Sequence, residues 1–314
     1  MTRSPRRTLV RLGLVLSATT AVVIGLVTPA KAFPQAAFHT QSTGNRGIDV
    51  LAVQYLLQSH GISVAADGIF GSGTAGGVRT FQSRSGLSVD GIVGPQTWGA
   101  LVQTVRQGST GAAVRAVQSQ LNKKRRLSLA VDGVFGSGTN SAVRSFQSHA
   151  GIAVDGIVGP TTWRNLIWHY AYPSFANMCD KDPDGNGTAN WGTGATIGQL
   201  EAGVARFGGG NGRVPLGDVS FEHGGDIPGH ASHEVGVDVD IWPIRTDSAQ
   251  CTAARITWQS STYDRTATRA LVQAIRATAP GQLALIYFND PTLINEGLTS
   301  SYPNHDNHLH IRYR

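Results

Sequence analysis

The strongest constraint on this chain is that its middle is written twice. Asp67-Gly68-Ile69-Phe70-Gly71-Ser72-Gly73-Thr74 returns 65 residues later as Asp132-Gly133-Val134-Phe135-Gly136-Ser137-Gly138-Thr139. At the same offset, Val78-Arg79-Thr80-Phe81-Gln82-Ser83 returns as Val143-Arg144-Ser145-Phe146-Gln147-Ser148, and the block 89–95 returns as 154–160. Trp98 matches Trp163, and Ala52-Val53-Gln54 matches Ala116-Val117-Gln118 with a one-residue slip. Self-similarity this close means a duplicated structural unit. A unit of this size has little interior, so its core depends on a few aromatic residues.

Each unit reads as three short helices. In the first, Val50, Val53, Leu56 and Leu57 have helical spacing. The Asp-Gly and Phe-Gly-Ser-Gly segments are turn signals. Thr74 is placed to cap a second helix that buries Val78 and Phe81. Pro95 opens a third helix, with Trp98 and Leu101 facing inward. Trp98 and Trp163 could serve as sugar-stacking platforms. Their place on the apolar face of a short helix reads instead as core.

These units resemble the peptidoglycan-binding domain of the three-helix type. The likeness is carried by the Asp-Gly-x-Phe-Gly-x-x-Thr loop, the Val-x-x-Phe-Gln segment and the Asp-Gly-Ile-Val-Gly-Pro-x-Thr-Trp block. It covers 43–168, divided into repeats at 43–103 and 104–168. It implies that both repeats dock on cell-wall peptidoglycan.

Residues 1–32 read as a secretory signal peptide. Arg3, Arg6, Arg7 and Arg11 precede an apolar run at 12–27, and Ala30-Lys31-Ala32 is a small-x-small cleavage site. Phe33 is then the mature start, and 33–42 a linker. A retained membrane anchor is the rival reading, against which the well-placed cleavage site argues. Arg6-Arg7 adds a weak twin-arginine signal. The expected location is secreted and cell-wall associated, extracellular or periplasmic, with no membrane attachment after cleavage.

Export also changes the charge argument. The chain has 26 Lys+Arg against 20 Asp+Glu, a net charge of +6. Five of those basic residues and none of the acidic ones lie in 1–32, so the remainder carries +1. No case for nucleic-acid binding survives. Cys179 and Cys251 are the two cysteines. In an exported protein such a pair reads as a disulfide staple rather than a catalytic thiol.

Residues 169–189 look like a connection. Within them, Cys179-Asp180-Lys181-Asp182-Pro183-Asp184-Gly185 alternates acidic residues ahead of a glycine, as a calcium loop begins. The twelfth position from Asp180 is Trp191, where a bidentate Glu is needed. The segment therefore reads as an acidic surface turn, with calcium binding the lesser alternative.

Residues 190–314 mix helical and strand periodicity. Helices are expected at 197–207 and 266–278, and a buried strand at 283–288. Val237, Val239 and Ile241 would share one strand face, with Asp238 and Asp240 on the other. His308 and His310 share a face of a further strand. The expected fold is therefore multidomain: two small all-α three-helix repeats, then an α+β domain around an antiparallel sheet.

The chemistry-bearing set is His230, His233, Asp238, Asp240, His305, His308 and His310. Half of the chain's ten histidines fall in two short motifs, which argues against scattered surface or core histidines. Imidazole and carboxylate donors suit Zn2+, which in a catalytic site takes three protein ligands. The surplus histidines are candidates for a general base or for stabilising developing charge.

The stretch Gly229-His230-Ala231-Ser232-His233-Glu234-Val235-Gly236-Val237-Asp238-Val239-Asp240-Ile241-Trp242 resembles the penicillin-insensitive murein endopeptidase branch of the lysostaphin and D-Ala-D-Ala zinc peptidase superfamily. So do Leu216-Gly217-Asp218-Val219-Ser220, Tyr287-Phe288-Asn289-Asp290-Pro291 and His305-Asp306-Asn307-His308-Leu309-His310. The shared signature is a His, six residues, an Asp, then a distant His-x-His. The resemblance implies that His233, Asp240 and His310 bind zinc, that His308 is the general base, and that His230 and His305 flank the site and assist substrate or transition-state binding. It implies a zinc metallopeptidase in which water attacks the peptide carbonyl directly. Consistent with that, the chain has no Ser-x-x-Lys motif and no Gly-x-Ser-x-Gly elbow. Two places depart from the family pattern: Glu234 stands where Gln is expected, and Phe221-Glu222-His223-Gly224-Gly225-Asp226 differs from the family loop.

The expectation is an exported hydrolase that cuts the peptide cross-links of the cell wall. Two alternatives stand beside it: a D,D- or L,D-carboxypeptidase that trims stem peptides, and a non-catalytic wall-binding protein.

Overall fold

A computed structural model describes residues 36–181, 189–208, 212–230 and 232–314. The expected signal peptide, Phe33, and Asp182 and Asp184 of the calcium-loop reading lie outside the described residues. No described helix is long and apolar enough to cross a membrane.

The repeats fold as α1 (Ile48–Ser59), α2 (Ser72–Arg84) and α3 (Pro95–Leu101), then α4 (Ala112–Arg125), α5 (Ser137–His149) and α6 (Pro160–Trp168). Pro95 and Pro160 stand in the first turns of α3 and α6, where a missing N–H costs nothing. Trp98 and Trp163 are fully buried, and their indole N–H groups donate to the carbonyls of His39 (2.9 Å) and Gln103 (2.8 Å). The expected core role holds.

One motif builds all four loops of the repeats. The buried Gln54 amide donates to Asp67 Oδ1 (2.8 Å), Ile69 O (3.0 Å) and Thr74 Oγ1 (3.0 Å), and its carbonyl accepts from Gly68 N (2.8 Å). Gln118 makes the equivalent bonds to Asp132, Val134, Thr139 and Gly133. Gln82 and Gln147 do the same for the loops at Asp90 and Asp155. The glycine of each Asp-Gly pair takes a positive φ, +70° at Gly68 and +77° at Gly133, a conformation that disfavours a Cβ. Thr74 is therefore not a cap: α2 begins at Ser72 without a side-chain cap, and the Thr74 hydroxyl serves this buried knot.

The two repeats do not keep separate cores. α1 packs on α4, and their buried residues form one continuous cluster. Lys124 is fully buried in it, with Nζ on Asp49 Oδ1 (2.7 Å) and on the carbonyls of Leu166 (2.7 Å) and Ile167 (3.0 Å). A buried ammonium is tolerable only with such a full set of partners.

The C-terminal domain runs β1 (Met178–Asp180), α7 (Gly194–Phe207), β2 (Val214–Leu216), β3 (Asp238–Ile241), α8 (Arg265–Thr278), β4 (Leu283–Tyr287), α9 (Pro291–Asn295) and β5 (Leu309–Tyr313). The sheet order is β1-β2-β3-β5-β4. α7 and α8 pack together, and their apolar faces share a core with Val239, Ile241, Leu309 and Ile311. The sheet is antiparallel except for β1, which pairs parallel with β2, so it is mixed rather than purely antiparallel. The strand expected to be buried at 283–288 is instead β4, the sheet's edge, where only Ile286 is buried.

The connection after α6 is not a loose spacer where it is described. His169 and Ala171 are buried, and Ala171 exchanges backbone bonds with Gly192. Cys179 on β1 is bridged to Cys251, as the exported-protein reading expects. The repeats rest on the C-terminal domain through Asn45 Nδ2 on Gln282 Oε1 (3.1 Å), Arg46 Nε on Thr278 O (3.0 Å) and the ion pairs Lys123–Glu201 and Arg125–Glu222.

Candidate metal centre and active-site cleft

Two neighbouring antiparallel strands place the chemistry. β3 and β5 pair with Asp240 opposite His310 and Asp238 opposite Arg312. Alternation sends Val239, Ile241, Leu309 and Ile311 into the core and leaves the carboxylates and His310 on the other face. His233 arrives from the loop before β3. Its φ is +77°, a strained value for a side chain with a Cβ, and its backbone N–H is held by Asp238 Oδ2 at 3.2 Å.

Three donor atoms converge: His310 Nδ1 lies 3.0 Å from Asp240 Oδ1, His233 Nε2 lies 3.3 Å from His310 Nδ1, and His233 Nε2 lies 3.4 Å from Asp240 Oδ1. A tetrahedral zinc ion with ligands at about 2.0–2.2 Å separates them by roughly 3.3–3.6 Å. The donor set therefore fits such an ion. His233 Nδ1–H donates to Val219 O (2.9 Å), which leaves its lone pair on Nε2. His310 Nε2–H donates to Asp238 Oδ1 (3.1 Å), and Arg312 grips both oxygens of Asp238 at 2.7 and 2.8 Å.

The electrostatics also favour a cation here. Burial opposes the charge on Asp240, but its contacts with His233 and His310 outweigh it and hold the carboxyl far below its usual range. Burial likewise lowers His310, but bonds to Asp238 and Asp240 prevail and push it up to about 9.

The remaining candidates surround this triangle in a cleft of about 840 Å³. His308 Nε2 lies 3.9 Å from Asp240 Oδ2, and its Nδ1–H donates to Asn307 Oδ1 (2.8 Å), leaving the lone pair on Nε2. Burial pushes His308 down to about 4, so its imidazole is neutral. The His305 ring stands 4.5 Å from that of His308, and its Nδ1–H donates to Pro303 O (2.7 Å). His230 sits between two carboxylates, 3.3 Å from Asp218 Oδ2 and 3.9 Å from Asp240 Oδ2. All seven residues singled out by sequence are thus brought together, while Glu234 is exposed.

With the two strands and their His/Asp triangle described, the relatives can be compared. The peptidoglycan binding domain family matches residues 46–101 and 110–166, and the penicillin-insensitive murein endopeptidase family matches 187–283. The chain carries two peptidoglycan-binding domains followed by a murein endopeptidase family domain. The latter match includes His233 and Asp240 and ends before His308 and His310. Among curated proteins, an N-acetylmuramoyl-L-alanine amidase, CwlM, from Mycobacterium tuberculosis is 39% identical over 103 residues, 29% of this chain and 25% of that protein. A zinc D-Ala-D-Ala carboxypeptidase from Streptomyces albus G is 37% identical over 89 residues, 28% of this chain and 34% of that protein. The chain thus spans a quarter and a third of the length of these relatives. The solved N-terminal domain of SleB is 39% identical, covering 21% of this chain and 94% of that one with a TM-score of 0.20.

Sequence reasoning missed three positioning groups in the peptidase domain. Asp218, buried beside His230, appeared only within a quoted motif. Arg312, which clamps Asp238, and the Val219 carbonyl, which orients His233, gave no signal of their own. Their roles arise from strand register and loop approach, which spacing along the chain does not reveal.

Proposed function

We propose that this protein is an exported peptidoglycan hydrolase that cuts cross-linking peptides of the cell wall. In this reading the wall-binding repeats span 43–103 and 104–168, a connection spans 169–189 and the metallopeptidase domain spans 190–314. The observation that carries it is the His233–Asp240–His310 triangle, with His308 beside it, in the cleft of a domain attached to two peptidoglycan-binding repeats.

His233, Asp240 and His310 would hold the zinc ion. Bound there, zinc supplies Lewis-acid polarisation of the scissile carbonyl and activation of water. The protein groups provide the rest. His308, neutral and with its Nε2 lone pair facing the triangle, takes a proton from the attacking water and returns it to the leaving amine. His230, steadied by Asp218, stands where it can donate to the developing oxyanion, and His305, with its lone pair on Nε2, flanks the site where it can accept from a substrate N–H. Asp238 keeps the rings of His233 and His310 in register through one backbone and one side-chain bond. The repeats raise the local concentration of cross-links at the cleft.

Digestion of defined cross-linked muropeptides, with and without a chelator, tests this. Metal-dependent release of two uncross-linked stem peptides is expected. Release of a single terminal amino acid would replace this reading with the carboxypeptidase one, which the likeness to a zinc D-Ala-D-Ala carboxypeptidase keeps in view. Uncut substrate from metal-loaded protein that still pellets with walls would leave a binding protein only.

A further inference from the structure

A second histidine cluster lies outside the cleft, where the second repeat meets the peptidase domain. His149 is the last residue of α5, His169 directly follows α6, and His223 lies in the loop between β2 and β3. One ring nitrogen from each falls within 4.8 Å of the others. Glu222 adds a carboxylate oxygen 3.1 Å from His149 Nε2.

We propose that His149, His169 and His223, with Glu222, form a second transition-metal site that clasps the wall-binding repeat to the peptidase domain. Three imidazoles and one carboxylate make a donor set suited to zinc or a similar borderline divalent ion. The His169 ring is already oriented for this. Its Nδ1–H donates to Asn165 O at 2.7 Å, which leaves the lone pair on Nε2, the arrangement that second-sphere carbonyls give to metal-binding histidines. Aromatic walls fix the rings: Phe146 meets His169 edge-on at 4.9 Å, and Trp168 stacks on His223 at 6.0 Å.

The position already holds positive charge. The Arg125 guanidinium pairs with Glu222 and donates to His149 Nε2 at 3.0 Å. An ion bound here would take the place of that guanidinium, whose side chain is 24% exposed. His223 lies in a turn closed by the Gly224 N–H on Phe221 O (3.0 Å), which holds it against the ends of the two helices. A surface pocket of about 420 Å³ is lined in part by Glu222 and His223, so these two donors border solvent.

The duplication supplies an internal control. At the 65-residue offset the first repeat carries Arg84 and Thr104 where the second carries His149 and His169. The histidines therefore belong only to the copy that faces Glu222 and His223, within the loop that departs from the family pattern.

The test is zinc counting on untagged full-length protein, dialysed against buffered free zinc, for wild type, His223→Gln, His149→Gln and His310→Ala. Two equivalents are expected for wild type and one for each variant. The two glutamine variants should keep hydrolysis of soluble muropeptides and lose the zinc-dependent rise in melting temperature contributed by the clasp. One equivalent in wild type and none in His310→Ala would overturn the second site and leave the cleft reading intact. One equivalent in both wild type and His310→Ala, lost in both glutamine variants, would support the clasp and sink the cleft reading instead. Unchanged zinc content in both glutamine variants would also overturn the clasp.

Discussion

Gln118 in the second repeat and Asp240 in the peptidase domain are both buried polar side chains, 1% and 6% exposed, but they are satisfied in opposite ways. Gln118 finds its partners within about twenty residues: Asp132, Gly133, Val134 and Thr139. Asp240 depends on His233 from a loop and on His310 from a strand seventy residues away. The repeat's knot is complete: its one charged member, Asp132, lies at the surface and is held by amide and backbone donors. The cleft is a set of carboxylates and imidazoles that requires a further positive charge. Complete local bonding makes a rigid platform, whereas a shared need for charge makes a site that binds and reacts.

The sharpest way to break this comparison is to remove a donor from the cleft. His310→Ala should abolish zinc retention there and reduce hydrolysis to background, measured by metal analysis and muropeptide digestion. His308→Ala should retain the metal and lower turnover by roughly 10²–10⁴-fold, the usual share of a general base. Full activity in that variant would remove His308 from the mechanism. Asp238→Asn should weaken zinc affinity by about 10–100-fold, as loss of a partner behind a ligand does, readable by competition with a chromogenic chelator.

In the repeats the expected cost is one of stability alone. Gln118→Ala strands Asp132, Gly133 and Thr139 and should destabilise the protein by about 1–3 kcal/mol in urea unfolding, with the rate on soluble substrate unchanged. An equal loss of activity would show that the platform is mechanically coupled to the cleft.

The smallest effect concerns Asp290, a peptidase-domain carboxylate bonded as completely as the knots. It is fully buried and accepts from Tyr263 (2.8 Å), Arg265 (2.7 Å) and Thr292 N (2.9 Å). Burial raises its pKa, but these partners outweigh burial and hold it below the usual carboxylate range. A depressed folded value stabilises the protein above the unfolded pKa of about 3.9, and that stabilisation is lost as pH falls through the folded value. Asp290→Asn should therefore flatten the dependence of melting temperature on pH below about 4 and lower stability at neutral pH. An unchanged acid limb would show that the ion pair contributes nothing.

Legibility in the sequence followed the same division. Duplication, helix spacing, Pro95, Pro160 and the inward tryptophans could all be read because each depends on neighbours a few residues apart. The glutamine knot was present in the aligned Val-Gln and Phe-Gln pairs, yet Thr74 looked like a cap because its true partner, Gln54, lies twenty residues upstream. β4 was mistaken for a buried strand because apolar residues at a sheet edge have the same pattern as those inside. β1 is three residues long and pairs through a parallel register that no local signal announces.

The sequence by itself determined the two repeats, the inward and outward faces of β3 and β5, and which histidines and aspartates gather in the cleft, since period and residue type are properties of the chain. Only the tertiary structure decided that Asp218 and Arg312 steady the cleft, that the repeats share one core around Lys124, and that three histidines meet at the junction. Those arrangements join residues from separate elements, and their energies come from burial and charge at distances of a few ångströms that exist only once the strands and helices have packed.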